Sequence, residues 1–176
     1  LTVIDRMTHY PEMIPIKDGE AETVAEAFFE HVICRHGVPA VVVSDNGTEF
    51  DEVFDVLHRK YGIQRIRTAP YHPQANGIIE RLHGFLRGSL VAMGTEDQAE
   101  WHKMVPVTAF AYRATPVSRL GYTPFFLTHG REPVIPGELR AEAVDPVPVN
   151  EHKFVKKTRQ RLKAAFRSVY EAEVDT

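Results

Sequence analysis

Two acidic residues stand where a sequence can build metal chemistry. Asp45 closes a run of β-branched residues, Ala40-Val41-Val42-Val43, and is followed by Asn46-Gly47. Strand ends in α/β proteins are where sites are assembled. By itself, though, Asp-Asn-Gly also makes a plain turn. Glu80 follows at the start of an apolar-periodic helix, with 34 residues between the two. Helical spacing sets His83, Gly84 and Arg87 on its side, opposite a stripe of Ile79, Leu82, Leu86, Leu90 and Met93. A solvated face with a glutamate near the positive helix end explains the same pattern. Between the two acids runs Thr68-Ala69-Pro70-Tyr71-His72-Pro73-Gln74-Ala75-Asn76-Gly77. Tyr71 and His72 can stack on bases, and Gln74 and Asn76 can hydrogen-bond bases or phosphates. A polar loop of this kind leading into a carboxylate reads as a substrate loop.

The elements that must position these residues follow from periodicity. Leu1–Asp5 and Glu12–Lys17 read as a β-hairpin around Arg6 to Pro11. Ala21–Arg35 is helical, stopped by Gly37 and Pro39. Ala40–Val43, apolar at every position, suits a strand buried on both faces. Val53–Tyr61 is a short helix and Ile63–Arg67 a strand. Thr68–Asn76 is a loop, Gly77–Met93 a long helix with Asn76 as N-cap. Trp101–Ala114 is helical with Pro106 interrupting it, residues 115–150 are irregular, and His152–Glu173 is a basic helix. This order predicts an α/β fold with a mixed sheet.

Read in order, Ser44-Asp45-Asn46-Gly47-Thr48-Glu49-Phe50 and Tyr71-His72-Pro73-Gln74-Ala75-Asn76-Gly77-Ile78-Ile79-Glu80-Arg81 resemble the catalytic core of Ty3/gypsy-type retrotransposon integrases. Ala111-Tyr112-Arg113-Ala114-Thr115, Gly121-Tyr122-Thr123-Pro124-Phe125 and Gly130-Arg131-Glu132-Pro133 resemble the stretch that follows it, and Val3-Ile4-Asp5-Arg6 the stretch before. The match runs over about residues 1–140. The resemblance implies an RNase H-like fold and metal-dependent DNA strand transfer that inserts element DNA into host DNA. It further implies a triad of two aspartates and a glutamate. Asp45 matches the second aspartate and Glu80 the glutamate, at a spacing one residue short of the family's usual one. Both are thereby the expected catalytic and Mg²⁺ (or Mn²⁺) ligands. Tyr71, His72, Gln74, Asn76, His83 and Arg87 are the expected DNA contacts. The family's first aspartate lies on a strand ahead of the segment that Val3–Arg6 resembles. Asp5 is therefore expected to end a strand and open a turn, and the first, central strand of the sheet is expected to be missing. Without it, Leu1–Asp5 and Ala40–Val43 would each lose a neighbour, and this fragment would be inactive alone.

The resemblance divides the chain into a catalytic core over residues 1–140 and a proline-rich linker with a basic helix over 141–176, leading toward a C-terminal domain. It implies DNA as partner, a homo-oligomer in the full-length protein and a nuclear working site. Composition adds bounds. The net charge of −3 is unusual for a protein that binds DNA by charge alone, but suits carboxylates gathered around cations. No apolar run reaches the roughly 18 residues that span a bilayer, so no membrane partner is expected. Cys34, the single cysteine, points weakly to an intracellular compartment, and the nine histidines lack zinc-finger spacing to cysteines. Two other classes stay open: a domesticated or decayed derivative that binds DNA or protein without catalysis, and a hydrolytic RNase H-like nuclease. Assays of strand joining and of RNA–DNA cleavage separate them.

Overall fold

The structure, a computed structural model, describes residues 1–45, 47, 49–67, 73–93, 100–135 and 151–174. The chain forms two compact units. One holds Leu1–Ile4 and Pro11–Ala109, the other Asp5–Tyr10 and Phe110–Thr176.

In the first unit, β1 (Thr2–Ile4) and β2 (Pro11–Met13) pair antiparallel, with Thr2 opposite Met13 and Ile4 opposite Pro11. Pro11 opens its strand, where a missing N–H is tolerated. The expected hairpin is present, but its second strand ends four residues earlier than the alternation of Glu12–Lys17 suggested. Helix α1 (Ala21–Phe28) passes through a wider π turn at Phe29–Ile33 into the short α2 (Cys34–His36). Gly37 then takes φ 87°, a left-handed value that ends the helix where the sequence predicted. The buried Glu12 carboxylate accepts from His36 Nε2 at 2.8 Å and Arg35 Nη1 at 3.4 Å, so the end of this helix is tied to β2.

Next comes a β–α–β turn of the chain. β3 (Val41–Ser44) and β4 (Gln64–Arg67) are parallel, in the register Val42–Arg65 and Ser44–Arg67, and α3 (Glu49–Tyr61) connects them. Parallel strands need such a crossover. Val24, Ala25, Phe28 and Val32 meet Val53, Phe54, Val56, Leu57 and Ile63 in the main core, with Val42 packed against it. Helix α4 (Pro73–Ala92) follows, with Leu82 fully buried.

Two corrections bear on the site. The strand predicted to be buried on both faces is not: Val41 is 41% and Val43 44% exposed, as is Ile66 at 53% in β4. The two-residue alternation sends Val42, Ser44, Arg65 and Arg67 toward α3 and leaves Val41, Val43, Gln64 and Ile66 on the open face. β3 pairs only with β4, and β1 only with β2, so the described strands form two two-stranded sheets. The expected α/β fold is therefore present, with small sheets among the described residues. Secondly, α4 begins at Pro73, not Gly77, so Asn76 lies inside the first turn and is not the N-cap. Proline suits that opening position, because its fixed φ is already helical and its absent N–H would have had no partner there.

In the second unit, Asp5–Tyr10 form the tip of the β1–β2 connection. The Asp5 carboxylate accepts from the Thr8 N–H at 2.8 Å and the Thr8 hydroxyl at 2.7 Å. Asp5 thus opens a turn directly after β1, the role the sequence assigned it. Helix α5 (Trp101–Ala114) belongs to the first unit up to Ala109 and to the second from Phe110, and it runs on through Pro106, so the proline removes one ladder bond without ending the helix. Within residues 115–150, expected to be irregular, α6 (Pro124–His129) is a helix. Thr123 caps it by accepting from the Phe126 N–H at 2.9 Å, and its hydroxyl donates to Glu132 at 2.6 Å. Gly130 ends it at φ 72°, so close to α7 (Glu151–Val174) that an added Cβ would lie 2.9 Å from a Thr158 methyl carbon. Leu120, Phe126, Leu127, Ala165 and Val169 make this unit's core. No helix among the described residues is long and apolar enough to cross a membrane.

Candidate metal and DNA site

Asp45 directly follows β3 and is exposed. One carboxylate oxygen accepts the Gly47 N–H at 3.2 Å, the self-bonded turn that Asx residues favour. The backbone around it is held from beneath by Arg65, whose side chain is only 9% exposed. Arg65 Nε donates to Ser44 Oγ at 2.8 Å, and Nη2 donates to the carbonyls of Asp45 at 2.9 Å and Gly47 at 3.3 Å. Nη1 donates to Asp51 Oδ1 at 2.5 Å, and the guanidinium lies 4.8 Å over the Phe54 ring. Ser44 Oγ in turn donates to the Asp45 carbonyl at 2.9 Å. Arg67 Nη2 adds a second cation to Asp51 at 2.7 Å.

Glu80 is the eighth residue of α4, in its third turn and exposed, not near the helix start. This removes the reading of Glu80 as a glutamate favouring the positive helix end, since that field fades within the first turn. His83, one turn on, is half-buried, and its Nε2 is hydrogen-bonded to Thr2 Oγ1 at 2.8 Å, which ties α4 to β1. Arg87, one further turn along, is exposed. Gln74 and Asn76 lie in the first turn of α4, and Tyr71 and His72 lie outside the described residues. Asp45 and Glu80 belong to the same compact unit. Among the described residues no three His, Cys, Asp or Glu side chains cluster as a ready-made metal cage.

The sequence reading missed Arg65. Alternation in Gln64-Arg65-Ile66-Arg67 does place both arginines on one face, without telling which side of the sheet that face is on. The available signal was Asp51, an acid placed to meet them at the start of α3.

No family model matches the chain. Related proteins and structures do. The chain is 27% identical over 168 residues, 94% of its length, to the retrovirus-related Pol polyprotein of transposon 412 from Drosophila melanogaster. It is 31% identical over 137 residues, 77% of its length, to the Gag-Pol polyprotein of Koala retrovirus. It spans only 14% and 8% of those polyproteins. Three solved structures share the fold. The simian T-cell lymphotropic virus intasome, solved with PP2A regulatory subunit B56 gamma, matches with TM-score 0.63 and 20% identity, over 85% of this chain and 52% of that one. The BIV integrase catalytic core matches with TM-score 0.57 and 24% identity, over 70% and 80%. The HTLV-2 integrase catalytic core, in a trimeric form with magnesium, matches with TM-score 0.54 and 16% identity, over 69% and 78%.

The chain belongs to the retroviral-type integrase catalytic cores. Its Ty3/gypsy-type placement fits the match to transposon 412. The fold of this integrase core is RNase H-like. Its relatives are Pol and Gag-Pol polyproteins of retroviruses and a retrovirus-related transposon.

Proposed function

We propose that this integrase core carries out metal-dependent DNA strand transfer, with Asp45 and Glu80 as two of its acidic ligands. The observation that carries the reading is the placement of Asp45 at the C-terminal end of β3 and of Glu80 on α4 in one compact unit, both exposed. Their donor set is oxygen only. That fits a hard cation such as Mg²⁺ or Mn²⁺, whose other positions water and phosphate fill. Such an ion, when bound, activates the attacking oxygen and stabilises the leaving one in an in-line displacement at phosphorus. The chain's own part is to present the two carboxylates and to hold DNA beside them. One Asp45 oxygen accepts the Gly47 N–H, and the residue is exposed to a ligand. Arg87 is placed for a phosphate, one polar stripe along from Glu80. Tyr71, His72, Gln74 and Asn76 complete the proposed DNA contacts. His83 enters it only when its bond to Thr2 opens.

Among the described residues no third acid clusters with these two, so much of a bound ion's shell is left to solvent, and weak metal binding without strand joining is the expected behaviour of the 176-residue chain by itself. The core over residues 1–140 and the connecting helix beyond it work within a longer, multimeric protein on DNA ends in the nucleus. The intasome and the trimeric form among the similar structures support the multimer.

The test is strand joining by the longer polyprotein segment that contains this chain, with Mg²⁺ or Mn²⁺, for wild type, Asp45→Asn and Glu80→Gln. Each substitution is expected to lower joining by at least ~100-fold, in line with the loss of several kcal/mol of metal-borne charge stabilisation. Undiminished joining by either variant overturns the assignment. Cleavage of an RNA–DNA hybrid without joining indicates a nuclease instead.

A further inference from the structure

We propose that Arg65 is a positioning residue for Asp45, setting the geometry of the metal ligand through the backbone on either side of it. The inference rests on the reading of Asp45 as a ligand. Arg65 lies on β4, whose register puts it beside Val42, on the α3 face of the two strands. From there its side chain, 9% exposed, spreads across three acceptors that bracket Asp45 in sequence: the Ser44 hydroxyl, the Asp45 carbonyl and the Gly47 carbonyl. The planar guanidinium is held in this orientation from two sides. Asp51 takes Nη1, and the Phe54 ring lies 4.8 Å beneath the cation.

The chemistry needs arginine. A planar fork with five donors reaches a hydroxyl, two carbonyls and a carboxylate at once, whereas a lysine ammonium is a point charge on a flexible stem. Asp45 stands beyond the last strand residue, and among the described residues no backbone ladder bond fixes its carbonyl. Arg65 supplies that missing constraint, and Ser44 Oγ repeats it from the strand side. The Asp45 side chain, whose Oδ1 holds the Gly47 N–H, is thereby aimed by a turn fixed at both carbonyls. Groups that orient a metal ligand from outside its coordination sphere typically change metal affinity by ~10–100-fold when removed.

The test uses the 176-residue chain with Mn²⁺ as probe. Binding is read from the paramagnetic broadening of Asp45 and Glu80 resonances, and the turn from hydrogen exchange of the Gly47 amide without metal. Arg65→Lys is expected to weaken Mn²⁺ binding by ~10-fold and to speed Gly47 exchange. Glu80→Gln is expected to weaken Mn²⁺ binding while leaving Gly47 exchange alone, a split that general loosening would not produce. Ser44→Ala, which removes one acceptor and leaves the guanidinium, moves both readouts in the Arg65→Lys direction by less, and serves if Arg65→Lys fails to fold. Wild-type Mn²⁺ affinity and Gly47 exchange in Arg65→Lys, or in Ser44→Ala if only that variant folds, overturn the role of Arg65, while loss of Mn²⁺ binding in Asp45→Asn keeps the ligand reading intact. If Asp45→Asn and Glu80→Gln both bind Mn²⁺ as wild type does, the ligand reading fails and the inference falls with it.

Discussion

Asp45 and Glu80 carry the same functional group and are held in opposite ways. Asp45 sits one residue past a four-residue strand, where the backbone has lost its ladder, and the protein restores order with side chains: Arg65, Ser44 and Asp51 fix the turn from the α3 side. Glu80 needs no such help. It lies in the third turn of a 20-residue helix, where hydrogen bonds before and after it fix the backbone, and its own side chain stays exposed. A ligand on a strand end depends on its neighbours' side chains, and a ligand in a helix depends on the helix. The two should therefore respond very differently to substitutions around them.

The largest difference is expected from Arg65→Met. The substitution leaves the Ser44 hydroxyl and the Asp45 and Gly47 carbonyls without their cation, and Asp51 with Arg67 alone. Hydrogen bonds to a charged group are worth about 1.5–3 kcal/mol each and do not add, and Asp51 is partly solvated, so a net loss of about 2–3 kcal/mol is expected. Urea unfolding should show it as a lower midpoint at unchanged slope. A midpoint equal to wild type would mean that the strand-end turn holds itself, and the contrast with Glu80 would disappear.

Next is the attachment of α4. Thr2 Oγ1 and His83 Nε2 join β1 to the helix that bears Glu80 at 2.8 Å, in a half-buried setting. Thr2→Val keeps the β-branched shape and leaves His83 without this partner, at an expected cost of about 1 kcal/mol in the same unfolding experiment. Because the helix backbone does not depend on this bond, amide exchange near Glu80 should scarcely change, whereas Arg65→Met should speed exchange at Gly47. Equal loosening at both places would show that the two ligands share one support.

How much of this was readable beforehand follows the same division. Wherever local backbone chemistry decides, the sequence was informative. The hairpin, the stop at Gly37, the crossover through α3 and the turn at Asp5 all rest on residue types with one favoured conformation. Thr123-Pro124 with Gly130 carried an equally clear cap–helix–stop signal, and α6 was overlooked because proline-rich surroundings suggested an irregular segment. Asn76 looked like a cap because Asn favours that position, but Pro73 serves three residues earlier and the helix takes the earlier start. What sequence could not give was tertiary pairing. The valines of β3 suggested burial on both faces, since valine content does not reveal how many strands flank it. Arg65 did not stand out in the sequence, because only the register of β4 against β3 turns it under Asp45.

The smallest effect is expected at Glu80 itself, and it is the sharpest test of the comparison. Glu80→Ala removes an exposed side chain from a helix interior and replaces it with the residue of highest helix propensity, so stability should stay within about 0.5 kcal/mol of wild type. Asp45→Ala, by contrast, removes the acceptor for the Gly47 N–H and should cost about 1 kcal/mol. Asp45→Asn keeps that acceptor and should cost less. The order Asp45→Ala, then Asp45→Asn, then Glu80→Ala in unfolding free energy would show that one carboxylate takes part in its own positioning while the other does not. If Glu80→Ala instead destabilised the protein as much as Asp45→Ala, the Glu80 side chain would have to be bracing the fold, and its exposed place on α4 would no longer mark it as free to take a ligand.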